Sequence, residues 1–258
     1  MYHHILSGTS GAVSLALFVR YWTINRKFSI VGICACMAIV IASNSSGPIA
    51  ATIFSGGLLF AWRWREYLKH AKKTALFLIF ALSLYMERPF YYIVDSIDFT
   101  GGSTGWHRAR LIESALDKIG EWWLFGTDYT RHWMPTGVSW NPNHTDITNY
   151  YLHLGVIGGL PLTLCLIAIV WVSGKKLINL ALSLYYIGEK RAAFANWTLF
   201  SVLIAHAASF VSISYFDQMF VLFFILVALI ANAKYPEEHR DGEQSNDVQI
   251  DEAQSARS

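Results

Sequence analysis

Seven apolar stretches dominate this sequence and limit it to folds that accommodate many long apolar helices. Their ranges are Ile5–Trp22, Ile30–Ala42, Gly47–Trp62, Thr74–Met86, Asn149–Val172, Ala195–Ser212 and Asp217–Ala233. A helix of about 20 apolar residues spans the hydrocarbon core of a bilayer. Charged residues make up only 15% of the chain, against roughly 25% in an average soluble domain. The sequence therefore predicts an all-α integral membrane protein with about seven transmembrane helices.

Basic residues cluster in every second connection between these stretches. They follow the first stretch at Arg20, Arg26 and Lys27, the third at Arg63, Arg65, Lys69, Lys72 and Lys73, and the fifth at Lys175, Lys176, Lys190 and Arg191. Cytoplasmic loops carry such an excess of lysine and arginine. The pattern predicts a multi-pass membrane protein with its N-terminus outside and its C-terminus in the cytoplasm.

The predicted topology divides the chain into four parts. Residues 1–87 hold four transmembrane helices, residues 88–148 form one large periplasmic loop, and residues 149–233 hold three more helices. Residues 234–258 contain three Lys or Arg and seven Asp or Glu, with very few apolar residues. A segment of this composition cannot bury enough apolar surface to offset its ordering entropy, so we expect a disordered acidic tail.

The large loop concentrates arginine, histidine and tryptophan. It contains half of the ten tryptophans, and its basic side chains include Arg88, Arg131 and His132. Within it, His107–Gly120 has apolar residues at helical spacing, which predicts an amphipathic helix lying on the membrane. Arginine binds phosphate in a bidentate manner, and histidine accepts a proton near neutral pH. The alternative is that these arginines touch lipid phosphates and the tryptophans anchor the loop.

The segment before the fifth stretch carries the sharpest candidate for chemistry. His144 lies between Asn143 and Thr145, ahead of the predicted helix, where it is a candidate base. Asp146 or Thr148 is expected to cap that helix. Glycines at 155, 158 and 159 favour close helix packing. All three cysteines lie inside apolar stretches, so neither a disulfide framework nor a zinc site is predicted.

Four segments carry short motifs that occur together in one known family. Ser43–Pro48 (SNSSGP) resembles a small-residue Ser-x-Ser-Arg element, although Gly47 stands where that element has arginine. Gly105–Leu116 (GWHRARLIESAL) resembles an arginine-led helix, and Leu124–Asp128 (LFGTD) is similar to a glycine turn. The fourth segment runs from His144 to Gly158 and is similar to a His…Asn-x-x-Leu…Gly-x-x-Gly signature. Together the four segments resemble the O-antigen ligase and Wzy-type polymerase family of bacterial polysaccharide assembly, which implies a location in the bacterial inner membrane.

This resemblance implies a GT-C-like helical bundle, here without N-terminal helices of the family, and an inverting glycosyltransferase that needs neither metal nor cofactor. The implied donor is an undecaprenyl-pyrophosphate-linked glycan, and the acceptor is a sugar hydroxyl on a glycan or a lipid-linked saccharide. His144 would be the base and Arg108 the pyrophosphate partner. Further substrate contacts are expected from Arg88, Arg110, Arg131, His132, Asp146 and Asn149.

Other classes of function stay open at this point. A transporter or flippase subunit would carry ionisable residues at mid-membrane depth, and His206 is the clearest such residue. A non-catalytic membrane scaffold would tolerate loss of His144 and Arg108. Within the enzyme class, ligase and polymerase differ only in the acceptor. The expected partners are the glycan donor, the acceptor and membrane lipids, with no nucleic acid.

Overall fold

The structure, a computed structural model, describes residues 4–67, 89–92, 105–134 and 141–234. All regular secondary structure in these ranges is helical, as predicted. The α-helices are α1 (His4–Tyr21), α2 (Arg26–Ala42), α3 (Ser46–Ala61), α4 (Gly105–Asp117), α5 (Ile119–Trp122), α6 (Tyr150–Tyr186), α7 (Lys190–Ser209) and α8 (Asp217–Asn232). Short 3-10 turns lie at Trp62–Tyr67, Phe90–Tyr92 and Arg131–Trp133.

Local sequence explains where the first helices begin and end. Asn25 caps α2, because its side chain accepts a hydrogen bond from the Phe28 N–H at 3.1 Å. Between α2 and α3, Asn44 adopts a left-handed conformation with φ 43°, which asparagine tolerates better than most residues. The chain therefore reverses within three residues. This tight turn places α3 beside α1, and its N-terminus faces the interior of the protein.

Helices α1, α3 and α7 pack around one another, and the largest buried cluster joins α1, α6, α7 and α8. Trp197 of α7 is fully buried, and its indole N–H donates to the Leu58 carbonyl of α3 at 2.7 Å. Gly8 of α1 allows a close approach, because a Cβ there would lie 2.5 Å from the Ser43 side chain. The core continues to α8 through Phe210 and Phe223, whose rings meet edge to face with centroids 5.1 Å apart.

Helix α6 is interrupted at two adjacent glycines. Gly158 and Gly159 leave helical geometry, and Gly159 has φ 72° and ψ −175°, a region open essentially to glycine alone. The break frees backbone groups, and the turn after α5 binds them. The Thr127 N–H donates to the Val156 carbonyl, and the Leu160 N–H donates to the Trp123 carbonyl, each at 2.8 Å. The glycines thus do more than allow close packing, since they make the docking site for the loop.

The number of membrane-spanning helices differs from the prediction. Two of the described helices, α6 and α7, are long and apolar enough to cross a bilayer, and α8 is apolar but shorter. Helices α2 and α3 have 17 and 16 residues, about 24–26 Å of helix, against a hydrocarbon core of about 30 Å. The predicted Thr74–Met86 span and the acidic tail beyond Lys234 lie outside the described residues.

The seven-span topology is therefore not supported. Two helices of this kind are weak evidence of a membrane protein, because the core helix of a soluble protein passes the same test. The orientation and the inner-membrane location stay predictions.

The amphipathic helix predicted in the large loop is present, but its apolar face covers protein. Leu111 and Ala115 of α4 are buried against Trp122, Trp133 and Val156. The Trp122 indole N–H donates to the Ala115 carbonyl at 2.8 Å, which closes α5 back onto α4. The loop and α6 thus cover Leu111 and Ala115, whereas Leu116 is 46% and Ile119 39% exposed. That the helix lies on the membrane stays a prediction.

Candidate functional site

Arg108 is the most unusual charged residue in the described part of the chain. Helix α4 directs it inward, and only 5% of its surface is exposed. Its Nε is buried without a hydrogen-bond partner, and no ion pair with a described residue neutralises its charge. Burial lowers the pKa of Arg108, because the charged form loses hydration. A buried charge is normally paired, so this arrangement is what a site for an anionic group requires.

The Arg108 side chain reaches a cavity of about 350 Å³. We call it the Arg108 cavity. Most of its wall is apolar, and the exceptions besides Arg108 are Ser46 and Ser212. Its lining consists of Ser46, Gly47, Ala50, Phe54, Arg108, Ile204, Ala207, Ala208, Val211 and Ser212. None of these lining residues is acidic, so the cavity combines one positive charge with walls that suit a hydrocarbon chain.

The N-terminus of α3 forms part of the same wall. Ser46 and Gly47 belong to its first turn, and the capping position Ser45 makes no side-chain hydrogen bond to that turn. The first N–H groups of a helix lack intrahelical acceptors and carry a partial positive charge. Gly47 admits the close approach of Ser212, because a Cβ would lie 2.2 Å from the Ser212 Oγ. A buried arginine and a helix N-terminus therefore converge on one space.

The cavity brings together two segments that are distant in the sequence. Arg108 of α4 lines it beside Gly47 of α3. Arg108 and the SNSSGP segment, which are 60 residues apart in the chain, are thus brought together. Sequence analysis placed Arg108 among the site residues but gave no signal for Ser212, which comes from the segment after α7.

His144 is held in a polar contact at the other end of the loop. Its Nδ1 lies 3.1 Å from the Thr130 Oγ1, and the same Oγ1 accepts the Thr145 N–H at 3.2 Å. Thr130 is fully buried and His144 is half-buried. The imidazole is therefore fixed through one nitrogen. A general base needs this kind of geometry, because a hydrogen bond at one ring nitrogen orients the other.

The segment that follows His144 joins the start of α6 to the Arg108 cavity region. The Tyr150 N–H donates to the Phe210 carbonyl at 2.7 Å, and the Ser214 hydroxyl donates to the Ile147 carbonyl at 2.5 Å. Residues 210–214 include the cavity residues Val211 and Ser212. His107, the neighbour of Arg108, has its Nε2 3.4 Å from the Asp146 carbonyl. The His144 segment and the cavity thus share one supporting framework.

Asn149 has a structural role at the start of α6. It caps α6, because its side-chain oxygen accepts the Leu152 N–H at 3.2 Å. The cap was expected from Asp146 or Thr148. It comes from Asn149 because the helix begins at Tyr150, one or more residues later than predicted. The Asp146 side chain is exposed.

The other predicted basic residues do not converge on the Arg108 cavity. Arg110 is exposed and forms an ion pair with Glu113 at 2.5 Å, and this hydrogen bond raises the pKa of Arg110. The Arg131 backbone N–H donates to the Asn143 carbonyl at 3.0 Å. Arg88 lies outside the described residues. Of the loop arginines that the structure describes, Arg108 is the one that lines the cavity.

His132 belongs to a separate cluster on the loop surface. Its Nε2 lies 3.0 Å from one carboxylate oxygen of Glu121, and the Trp133 indole N–H donates to the other at 3.1 Å. Desolvation alone would raise the pKa of Glu121, but these hydrogen bonds outweigh it and lower the pKa. Tyr129 stacks on the His132 ring with centroids 5.3 Å apart. The cluster ties α5 to the Arg131–Trp133 turn.

His206, left outside the predicted site, also has a structural explanation. Its Nδ1 lies 2.9 Å from the Tyr215 hydroxyl, and both side chains are buried among Phe210 and Phe223. The contact links α7 to the segment that carries Ser212. His206 therefore positions the wall of the Arg108 cavity rather than lining it. In the sequence His206 is a lone histidine in an apolar stretch, a pattern that many buried structural histidines share.

Metal ligands do not cluster in the described residues. No group of three His, Cys, Asp or Glu side chains comes together there as a potential metal site. The positive charge available to a ligand at the Arg108 cavity is therefore that of Arg108 and of the α3 N-terminus.

No protein-family model, curated protein or solved structure matches this chain.

Proposed function

We propose that the protein is a membrane glycosyltransferase that transfers a glycan from an undecaprenyl-pyrophosphate carrier to a sugar hydroxyl. The observation that carries this proposal is Arg108, which is buried without an ion-pair partner among the described residues and lines an otherwise apolar cavity beside the N-terminus of α3. A pyrophosphate would supply the missing counter-charge. Arginine binds phosphate oxygens in a bidentate manner, and the N-terminus of a helix favours the same kind of ligand.

The apolar walls favour a lipid-linked donor over a free nucleotide sugar. Phe54, Ile204 and Val211 line the Arg108 cavity and present hydrocarbon surface next to the charge. A polyprenyl chain would bury its first units there while the pyrophosphate meets Arg108. Contacts with developing negative charge in a water-poor site are often the largest contribution to catalysis.

The acceptor half of the reaction is assigned to His144. When its Nδ1–H donates to Thr130 Oγ1, its Nε2 is free to take a proton. The acceptor hydroxyl oxygen attacks the anomeric carbon, and the bond from that carbon to the pyrophosphate oxygen breaks. The bonding pair leaves with the pyrophosphate, which Arg108 stabilises, and the hydroxyl proton passes to His144 Nε2. General-base assistance of this kind contributes roughly 10²–10⁴-fold.

Membrane integration is part of the proposal. Helices α6 and α7 would cross the bacterial inner membrane, with the loop and the Arg108 cavity on the periplasmic side. Lysines 175, 176 and 190 and Arg191 would lie on the cytoplasmic side, which agrees with the usual excess of basic residues there.

Donor binding tests the assignment of the cation. Wild type, Arg108→Met and Arg110→Met are placed in nanodiscs and titrated with undecaprenyl pyrophosphate. A charge-assisted hydrogen bond contributes about 1.5–3 kcal/mol, so Arg108→Met should weaken binding about 10- to 100-fold. Arg110→Met should bind as wild type, because Arg110 is exposed and paired with Glu113. Unchanged binding by Arg108→Met would exclude the cavity as the donor site.

Transfer itself is tested with the same nanodiscs, a lipid-linked glycan donor and a saccharide acceptor. His144→Ala should abolish product while leaving donor affinity unchanged. His132→Ala should retain transfer, because His132 contacts Glu121 on another part of the loop. Donor binding without any product in wild type would refute the transferase and favour a transporter of the same lipid.

A further inference from the structure

The turn after α5 exposes three large apolar side chains in a row. Trp123 is 50%, Leu124 41% and Phe125 84% exposed. Burying such side chains is favourable, and clustered exposed apolar residues usually mark an interaction surface. We call residues 123–125 the apolar turn.

The apolar turn has a fixed position on α6. Its flanking backbone fills the break in that helix through the Thr127 N–H to Val156 and the Leu160 N–H to Trp123 hydrogen bonds. Gly126 has φ 84°, and a Cβ there would lie 2.2 Å from the Val156 carbonyl oxygen. Contact this close leaves the backbone no freedom to turn the three side chains inward. Their exposure is therefore built into the fold.

The exposed surface of the turn continues directly onto α6. Ile157, whose backbone lies against Gly126, is 59% exposed, and Leu164 is equally exposed further along the helix. Residues 160–186 form about 40 Å of helix beyond the break, in the more apolar of the two candidate spans. The apolar turn thus lies at the outer end of α6, the more apolar of the two candidate spans.

We propose that the apolar turn inserts into the bilayer leaflet that surrounds the outer end of α6. This inference rests on the proposed membrane integration of α6. A lipid surface fits better than a protein partner, because the same bilayer that covers Leu164 would reach the turn without a gap. Tryptophan favours the headgroup level, which places Trp123 there and Phe125 deeper. The insertion would hold the loop at the depth where a lipid-linked pyrophosphate resides.

Single-cysteine variants measure this depth. The native cysteines are replaced in the background Cys34→Ser, Cys36→Ala and Cys165→Ser, and a nitroxide is attached at Phe125→Cys or Asp128→Cys. Restored Cys165, which is exposed on α6 about 9 Å along the helix from the break, marks the membrane. The proteins are reconstituted in phosphatidylethanolamine and phosphatidylglycerol vesicles. Collisions with oxygen report lipid, and collisions with a water-soluble nickel chelate report water.

The expected result is an oxygen-to-nickel collision ratio severalfold higher at residues 125 and 165 than at residue 128, the exposed polar control in the same loop. A high ratio at 165 with a water-like ratio at 125 would overturn the inserted turn and leave the membrane integration of α6 standing. A water-like ratio at 165 would overturn both. Little collision with either reagent at 125 would mean that protein covers the turn, which also overturns the inference. If Phe125→Cys does not fold, Leu124→Cys takes its place.

Discussion

Replacing Arg108 by methionine should make the protein more stable and should weaken its binding of pyrophosphate. Arg108 is buried, its Nε has no hydrogen-bond partner, and the cavity around it is mostly apolar. Methionine has a similar length and carries no charge. The substitution therefore removes a desolvated cation without leaving a large void.

The magnitude follows from the one orphaned donor and its charge. A buried donor without a partner costs about 1–3 kcal/mol. The Arg108 methylene groups are already buried, so the gain in apolar burial by methionine is small by comparison. We expect Arg108→Met to raise the free energy of unfolding by about 1–3 kcal/mol. For a chain of this size, each kcal/mol moves the thermal midpoint by about 2–4 °C.

The assay compares thermal midpoints of wild type, Arg108→Met and Arg110→Met in one detergent, with and without pyrophosphate. A ligand at 100 times its dissociation constant stabilises the folded state by about 2.7 kcal/mol. At that concentration a 10- to 100-fold weaker Arg108→Met would gain only about 0.4–1.4 kcal/mol. Pyrophosphate should therefore raise the midpoint of wild type clearly more than that of Arg108→Met. Arg110→Met should keep the thermal midpoint of wild type, because an exposed ion pair contributes little to stability.

Two results would refute the reasoning. If Arg108→Met is less stable than wild type without ligand, Arg108 has a stabilising contact and its charge is not a cost. If Arg108→Met is as strongly stabilised by pyrophosphate as wild type, the anion binds elsewhere. Higher stability together with a smaller midpoint shift by pyrophosphate is the pattern of a residue retained for function. Functional sites keep groups that destabilise the fold.

Three further predictions concern the supports of the site. Gly159→Ala should destabilise the protein by about 1–3 kcal/mol, because Gly159 has φ 72° and a Cβ would lie 2.4 Å from the Leu124 carbonyl oxygen; Gly56→Ala, which meets open space, should leave the thermal midpoint unchanged or higher, and equal loss at both would contradict the strained break. Glu121→Gln should lower the thermal midpoint at pH 7. Because the folded-state pKa of Glu121 is depressed below the usual 4.5, this stabilisation is present above that pH and is lost as the pH falls through the folded-state pKa, so the two midpoints should converge in acid; a difference that persists in acid would argue against it. Thr130→Val should lower the transfer rate about 100-fold with unchanged donor affinity, and Thr130→Ser should restore it; the ¹⁵N shifts of the His144 ring should show a changed tautomer in Thr130→Val only, and an unaltered ring would leave Thr130 without a positioning role.

The helices could largely be predicted from the sequence, because apolar periodicity and capping residues act locally. Helix α4 begins at Gly105 where a helix over His107–Gly120 was expected. The break in α6 could not be predicted in the same way. Gly158 and Gly159 permit a helix or an interruption, and the choice depends on the turn at Trp123–Thr127, which lies 30 residues earlier. A long-range backbone contact decides the outcome.

The membrane topology shows why hydropathy alone is insufficient. Apolar length marked seven stretches as spans, yet helices such as α3 end after 16 residues. Trp62 ends α3 and packs on Tyr185 and Trp197, so the same apolar residues also serve contacts between helices. Hydropathy measures the free energy of transfer out of water, and it does not distinguish lipid from protein as the new environment.

The candidate site was only partly accessible from the sequence, for a related reason. Arg108 and Arg110 have equivalent chemistry and are two residues apart, and periodicity of an uncertain helix could not choose between them. In the structure α4 turns one side inward, so Arg108 reaches the cavity while Arg110 pairs with Glu113 in solvent. Ser212 carried no signal at all, since a serine after an apolar stretch is ordinary.

Backbone hydrogen bonds join the first turns of α6 to the two neighbouring parts of the candidate site. The Tyr150 N–H binds the Phe210 carbonyl, and the Leu160 N–H binds the Trp123 carbonyl, so the first turns of α6 are fixed to the cavity wall on one side and to the loop on the other. Backbone contacts tolerate many side-chain changes. The arrangement of the cavity wall and the loop around α6 should therefore survive many side-chain substitutions, provided that the glycine break in α6 is kept.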